Sequence, residues 1–387
     1  MQVILGLVMS RHDKKSAPLA CSAVLGFALM IGGCAFVPRG ESVAHETDRN
    51  AAAPDREAPR LQPLDTRKFA GLPESTELVG QVQVLFARYE NTFSAIARTY
   101  DLGYNAMKQA NPGVDAWLPG EGTPIYLPTR SILPDAPREG IVINLPAMRL
   151  YYFRDGPEHA GESGRMSVTT YPIGIGRDGW ETPTGTAKVT QKISNPAWYV
   201  PASVRKEHAE AGDPLPAVVP PGPDNPLGLF ALQLSLPGYL IHGTNKPAGV
   251  GMRVSHGCIR LYPEDIESLF RAVPRGTPVR IVDQPVLAGW AGGELFLEAH
   301  PALDAEGRDD QARDLAAEAA RVIAAAIDRA GRPQVSLNRQ AIARVIAERR
   351  GIPFPVGNTQ RSLADYLSAS RIIDNTVPLP QTASAED

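Results

Sequence analysis

Thiols are scarce in this 387-residue chain, which has 3 cysteines. One of them, Cys258, stands two residues after a histidine in RVSHGCIRL, Arg253 to Leu261. A thiol attacks as its thiolate, and an imidazole within hydrogen-bond reach takes its proton. Two imidazoles are near in sequence. One residue separates His256 from Cys258, and on an extended strand residues i and i+2 share a face. His242 ends the stretch GYLIH and can approach from an adjacent strand. Arg260 falls on the same expected face as Cys258 and suits bidentate binding of a substrate carboxylate. Gly243, Gly251 and Gly257 permit close backbone approach, and the successive amides of Gly257 and Cys258 suit a developing oxyanion. Residue types and spacing alone describe cysteine-nucleophile acyl transfer. They leave two other readings open: zinc held by His242, His256 and Cys258 with one open position, and a buried structural thiol. A papain-like peptidase would need the cysteine to open a helix, whereas Cys258 lies between the β-like VS and IRL.

The N-terminus explains why the thiol stands alone. Arg11, Lys14 and Lys15 precede an uncharged apolar run, Ala17 to Ile31, that reaches Ile31-Gly32-Gly33-Cys34, the pattern of an export signal. Small residues ahead of that cysteine resemble the bacterial lipobox, which implies that residues 1–33 are removed and Cys34 is lipidated. Ordinary cleavage, or an uncleaved anchor over Leu19 to Val37 of about the ~20 residues that span a bilayer, are the alternatives. All three send the rest of the chain out of the cytoplasm. Cys21 then leaves with the signal, Cys34 carries lipid, and Cys258 has no disulfide partner in an oxidising compartment. Ala35 in place of an aspartate after Cys34 favours, by the same resemblance, the outer over the inner membrane, so the expected location is periplasmic and lipid-anchored. Lysine and arginine number 39 against 42 aspartates and glutamates, with no run of like charge. That balance excludes a nucleic-acid or polybasic membrane role.

Several elements must position the site. Residues 34–80 are polar, contain proline and alanine, and lack periodicity, which predicts a flexible tether. Over 81–129, Phe93, Ile96, Ala97 and Tyr100 fall at helical spacing. Met107 and Ala110 begin a second helix that stops at Asn111-Pro112-Gly113, and a strand follows over Pro124 to Leu127. From 138 to 284 short β-prone segments, separated by glycines and prolines, predict an all-β domain. Its proline-rich insert, Pro201 to Pro226, is expected to be a surface loop, a lid over a groove. Residues 285–375 read as a strand (ELFLEAH) and two helices, the first with Leu315, Ala319, Ile323 and Ala326 on one face, the second with Ile342, Val345 and Ile346. Residues 376–387 are expected to be disordered.

Two stretches resemble known families. In residues 81–129, Thr92-Phe93, Ile96-Ala97-x-x-Tyr100, Asn111-Pro112 and Gly120 before Ile125-x-Leu127-Pro128 are similar to a LysM module, a βααβ unit that binds glycans of peptidoglycan type. His242, twelve intervening residues, then Ser255-His256-Gly257-Cys258 followed by Ile259-Arg260 resembles the signature of the YkuD-type L,D-transpeptidases of diderm bacteria. Gly174-Ile175-Gly176 and Thr182-Pro183-Thr184-Gly185 resemble a second stretch of that family. The resemblance implies a multidomain protein: a mainly-β L,D-transpeptidase domain, preceded by the LysM-like module and followed by a helical region. It implies that Cys258 is the nucleophile and His242 the base, oriented by the Gly243 carbonyl. His256 and Gly257 would shape the oxyanion site, while Ser255, Gly243 and Arg260 line the substrate site. No metal or other cofactor is implied. The implied partners are stem peptides and glycan of peptidoglycan, with a stem-peptide amine, a lipoprotein lysine or water as acceptor.

Overall fold

The computed structural model describes residues 61–154, 165–303, 313–358 and 360–378. The export signal, Cys34 and the first part of the expected tether lie outside the described residues. The central element is a nine-stranded sheet in the order Lys68–Pro73, Arg165–Pro172, Arg149–Arg154, Gly140–Asn144, Pro278–Val282, Gly185–Ser194, Phe230–Leu234, Leu240–His242 and Ile259–Arg260. Neighbours run antiparallel except at Gly140–Asn144 beside Pro278–Val282 and at Leu240–His242 beside Ile259–Arg260. Successive side chains on a strand point to opposite faces, and here both faces are covered. Ile141, Ile143, Leu150 and Tyr152 enter one core with Leu232, Ile241, Ile259 and the helix residues Ile266 and Leu269. Val142, Tyr151 and Phe153 enter a second core with Val168 and Leu133. Burial on both sides is why these strands read as nearly continuous apolar runs.

The tether expected over 34–80 ends earlier. Residues Lys68–Pro73 add an edge strand to the main sheet, with a register shift between Phe69 and Leu72, and Leu78–Gly80 pairs with Arg130–Ile132. Phe69 and Leu72 pack against the second core. Their composition looked like a linker because a short edge strand with an irregularity carries little periodic signal.

Residues 83–127 form two antiparallel strands, Gln83–Phe86 and Pro124–Leu127, enclosing the helices Phe93–Thr99 and Tyr104–Ala110. Thr92 caps the first helix, its side chain accepting from the Ala95 amide at 3.2 Å. Phe93, Ile96, Ala97, Tyr100 and Met107 make the core of this βααβ unit. Beyond the main sheet, Val286–Ala291, Glu294–Ala299 and Phe354–Pro355 form a three-stranded sheet. The helix Leu315–Arg329 packs on it through Leu315, Ala319, Ile323 and Ala326. The helix Arg339–Glu348 joins the same core through Ala341, with Ile342, Val345 and Ile346 against it.

The chain then returns to the βααβ unit. Arg371–Ile372 pairs in parallel with Gln83–Phe86, and Leu61 bridges to Ile373. The tail expected to be disordered from 376 is packed at its start: Thr376 donates its amide to the Tyr100 hydroxyl at 2.9 Å, and Val377 is buried in the core of the unit. The Asn375 side chain adds hydrogen bonds to the Phe86 carbonyl and to Asn91. Among the described residues, strands from both flanks tie these parts together, Lys68–Pro73 on the main sheet and Arg371–Ile372 on the βααβ unit.

Candidate active site

His242 ends the strand Leu240–His242, whose parallel partner places Ile241 opposite Ile259 and His242 opposite Arg260. Paired residues on adjacent strands share a face, so His242 and Arg260 sit side by side, with Cys258 just before the second strand. The His242 ring is buried and its Nδ1 lies 2.7 Å from the Gly243 carbonyl oxygen. With Nδ1–H donating there, Nε2 carries the free lone pair. Burial, then the charge of Arg260, push the ring down to about 4, against the pull of the Gly243 and Leu227 carbonyls. The Cys258 thiol is half-buried, with Sγ 3.7 Å from the Gly238 carbonyl oxygen. Burial raises its pKa, while the Leu240 amide and Arg260 act in the opposite direction. At neutral pH the resting pair is thus a neutral imidazole and a protonated thiol. Burial likewise lowers Arg260, with the thiol drawing it back.

The turn that presents Cys258 is fixed by its neighbours. Gly257 has φ +99°, and a Cβ there would meet Tyr239 Cε1 at 3.0 Å. Ser255 Oγ accepts from the Gly257 amide at 3.2 Å and donates to the Cys258 carbonyl at 2.6 Å. His256, expected by spacing to lie on the face of Cys258, is engaged by other residues. Its Nε2 instead lies 3.3 Å from Arg177 Nη2 and 3.4 Å from Glu207 Oε2, and its ring packs edge-on to Trp180. Burial, then Arg177, lower the His256 pKa against the pull of Glu207. The Gly257 amide, expected at the oxyanion, is engaged by Ser255 in this structure.

Thr182, in the upstream stretch Thr182-Pro183-Thr184-Gly185, explains that stretch. Its buried hydroxyl accepts from the Gly176 amide at 3.0 Å and donates to the Gly257 carbonyl at 2.8 Å, joining Ile175–Gly176 to the nucleophile turn. Thr182→Val would leave a donor and an acceptor unpaired, at a cost of about 2 kcal/mol or more. The expected result is a correspondingly lower chemical-unfolding midpoint and slower acylation of Cys258, with Thr182→Ser close to wild type. An unchanged midpoint for Thr182→Val would remove this role.

Sequence reasoning missed other contributors. The insert Pro201–Pro226 is not a plain loop: Ala202–Glu210 is a helix, and Trp198–Tyr199 pairs with Val218–Val219. The flanking prolines suggested irregularity, but Ala202, Arg205, Lys206 and Glu207 are good helix formers. This helix brings Glu207 into an ion pair with Arg177 beside His256. Asn225 is buried, donates to the Pro196 and Pro220 carbonyls at 2.8 and 3.0 Å, and accepts from the Leu227 amide at 2.9 Å. It thereby holds the segment whose Leu227 carbonyl faces His242. An asparagine between prolines was the available signal. Near the site, Tyr239 packs by Gly257. Asn245 donates to the Asp224 carbonyl and Arg253 to the Leu303 carbonyl. Among the described residues no group of three His, Cys, Asp or Glu side chains is arranged to hold a metal; His242 and His256 face different partners.

Fold and site together define an acyl-transferring enzyme domain, and residues 138–281 match the family model described as YkuD, the L,D-transpeptidase catalytic domain. The probable L,D-transpeptidase YbiS of Escherichia coli K12 is 46% identical over 234 residues, covering 59% of this chain and 74% of that protein. The probable L,D-transpeptidase YcfS of the same organism is 44% identical over 246 residues, 62% of this chain and 74% of that one. ErfK/SrfK of Salmonella typhimurium, also named a probable L,D-transpeptidase, is 44% identical over 235 residues, 60% and 73% of the two chains. This chain belongs to the YkuD family of L,D-transpeptidases.

Proposed function

We propose that this protein is a periplasmic, lipid-anchored L,D-transpeptidase that acts on the stem tetrapeptides of peptidoglycan through a thioester on Cys258. The observation that carries this reading is the 2.7 Å contact of His242 Nδ1 with the Gly243 carbonyl oxygen, which leaves Nε2 as base on the sheet face shared with Arg260. Nε2 takes the Cys258 proton as Sγ attacks the carbonyl carbon of the third stem residue, and the oxyanion is met by the Cys258 amide. Collapse breaks the bond to the terminal D-alanine, whose nitrogen receives the proton from His242. An acceptor amine then attacks the thioester, gives its proton to His242, and expels the thiolate, which is reprotonated. Arg260 binds a donor carboxylate. An amine from a second stem gives a 3-3 crosslink, and a lysine of a lipoprotein gives a wall-anchored protein. Residues 81–129 act as a LysM-like glycan-binding module, and Cys34 carries the lipid that holds the protein at the outer membrane.

The test is to incubate the protein with a disaccharide tetrapeptide, with and without a lysine-containing acceptor peptide, and to resolve the products by mass. Dimers crosslinked 3-3, or tetrapeptide-derived adducts on the acceptor, are expected. Tripeptide alone would make water the acceptor and the protein an L,D-carboxypeptidase. Binding to isolated cell walls with no product would overturn the reading in favour of an inactive wall-binding lipoprotein.

A further inference from the structure

The βααβ unit does more than lie near the catalytic sheet. The start of its second helix is seated on the loop 247–252: the Tyr104 and Asn105 amides donate to the Val250 and Gly251 carbonyls at 3.3 and 3.1 Å. Two residues before Tyr104, the Leu102 carbonyl accepts from the Tyr262 hydroxyl at 3.1 Å. The two backbones touch at a pair of glycines. A Cβ built on Gly103 would lie 2.8 Å from Gly251 Cα, and one on Gly251 would lie 2.3 Å from Gly103 Cα. Real side chains do not tolerate either distance. Around this contact, Arg98 makes a bidentate pair with Glu264, and Arg67 pairs with the fully buried Asp265 at 2.7 Å.

The other side of the same loop faces the active site. The Gly251 amide donates to the Ile173 carbonyl at 3.2 Å and the Ile175 amide to the Met252 carbonyl at 3.0 Å. Gly174 and Arg260 exchange backbone hydrogen bonds at 2.8 and 2.9 Å. A Cβ on Gly249 would sit 3.1 Å from Arg260 Nη1, so the guanidinium rests directly on the loop. A continuous path of contacts therefore runs from Gly103 through Val250 and Gly251 to Gly249 and Arg260. We propose that the βααβ unit is a working part of the catalytic site, with Gly103 acting as a positioning residue that fixes the 247–252 loop and, through it, the Arg260 guanidinium that binds the donor substrate. The assignment of Arg260 to a substrate carboxylate rests on the function proposed above; the mechanical link does not.

Gly103→Ala tests it. Gly103 has φ −88° and ψ 148°, a conformation open to any residue, so the added methyl strains nothing except its contact with Gly251. A shifted Arg260 weakens the ground state and transition state alike. The expected result is therefore a KM for soluble tetrapeptide raised about 10-fold with kcat nearly unchanged. In an Arg260→Ala background the same substitution should add no further change, because neighbours that act through one group are not additive. A second readout needs no turnover: Arg260 favours the Cys258 thiolate, so in Gly103→Ala alkylation of Cys258 by iodoacetamide should set in at higher pH. An unchanged KM together with an unchanged alkylation profile overturns the proposal, as does a full effect that persists in Arg260→Ala. An inactive wild type whose alkylation profile still shifts in Gly103→Ala would sink the proposed function and leave this inference standing.

Discussion

Cys258→Ala is expected to abolish acyl-enzyme formation outright. Intact-mass measurement of the wild-type protein with excess tetrapeptide should reveal a species heavier by the acyl group, and the variant should show none. The fold should survive, because Cys258 is only half-buried and its Sγ contact to the Gly238 carbonyl is long, at 3.7 Å. The turn around it is held by other atoms, the Ser255 hydroxyl and the Thr182 hydroxyl. The neighbouring Ser255 hydroxyl is not placed to substitute as nucleophile, since its Oγ is committed to the Cys258 carbonyl and the Gly257 amide. Retained turnover in Cys258→Ala would remove the nucleophile assignment, and with it the thioester mechanism.

Replacing His242 with alanine should slow acylation by about 10² to 10⁴-fold, the usual contribution of a general base. The size follows from the resting state: with the thiol raised and the imidazole lowered, no thiolate is waiting, and the proton must move as the bond forms. The pH profile carries the sharper test. Only neutral His242 accepts the proton, and its ring protonates at about 4, so acylation should hold steady as pH falls through 6.5 and decline only as it approaches 4. The same shift acts on stability. An unfolded histidine protonates near 6.5, the buried one near 4, so the unfolded state binds more protons in between and stability falls as pH drops from about 6.5 toward 4. His242→Gln should flatten that loss. An acidic acylation limb that is lost in His256→Ala and kept in His242→Ala would show that the other imidazole is the base.

Much of this site is legible in the sequence because its chemistry is local. Cys258, Arg260 and the turn at Gly257 lie within a few residues, and His242 precedes them at a spacing set by one return of the chain to the neighbouring strand. The catalytic strands are legible too, since burial on both faces gives runs such as GIVIN and RLYYF. What escapes is what depends on distant partners. The partners of His256, Arg177 and Glu207, escaped because they come from distant stretches of the chain. The edge strand Lys68–Pro73 escaped because half its pattern is supplied by the sheet it joins. Gly251 reads as a residue that permits close backbone approach, but nothing in its stretch announces that the backbone resting on it is that of Gly103, 148 positions earlier.

The return of the last strand to the first unit has a consequence for how the protein is made. The Asn375 side chain donates to the Phe86 carbonyl across 289 positions, and Val377 completes the core around Tyr100. A chain emerging vectorially at about 5–20 residues per second needs roughly 15–60 s to supply that final piece. Through that interval the apolar interior around Phe93, Ile96 and Met107 lacks its closing edge. The earliest-emerging unit is therefore among the last to be finished, and a ribosome that stalls late would release a chain whose catalytic sheet is complete but whose seat for the active-site loop is not.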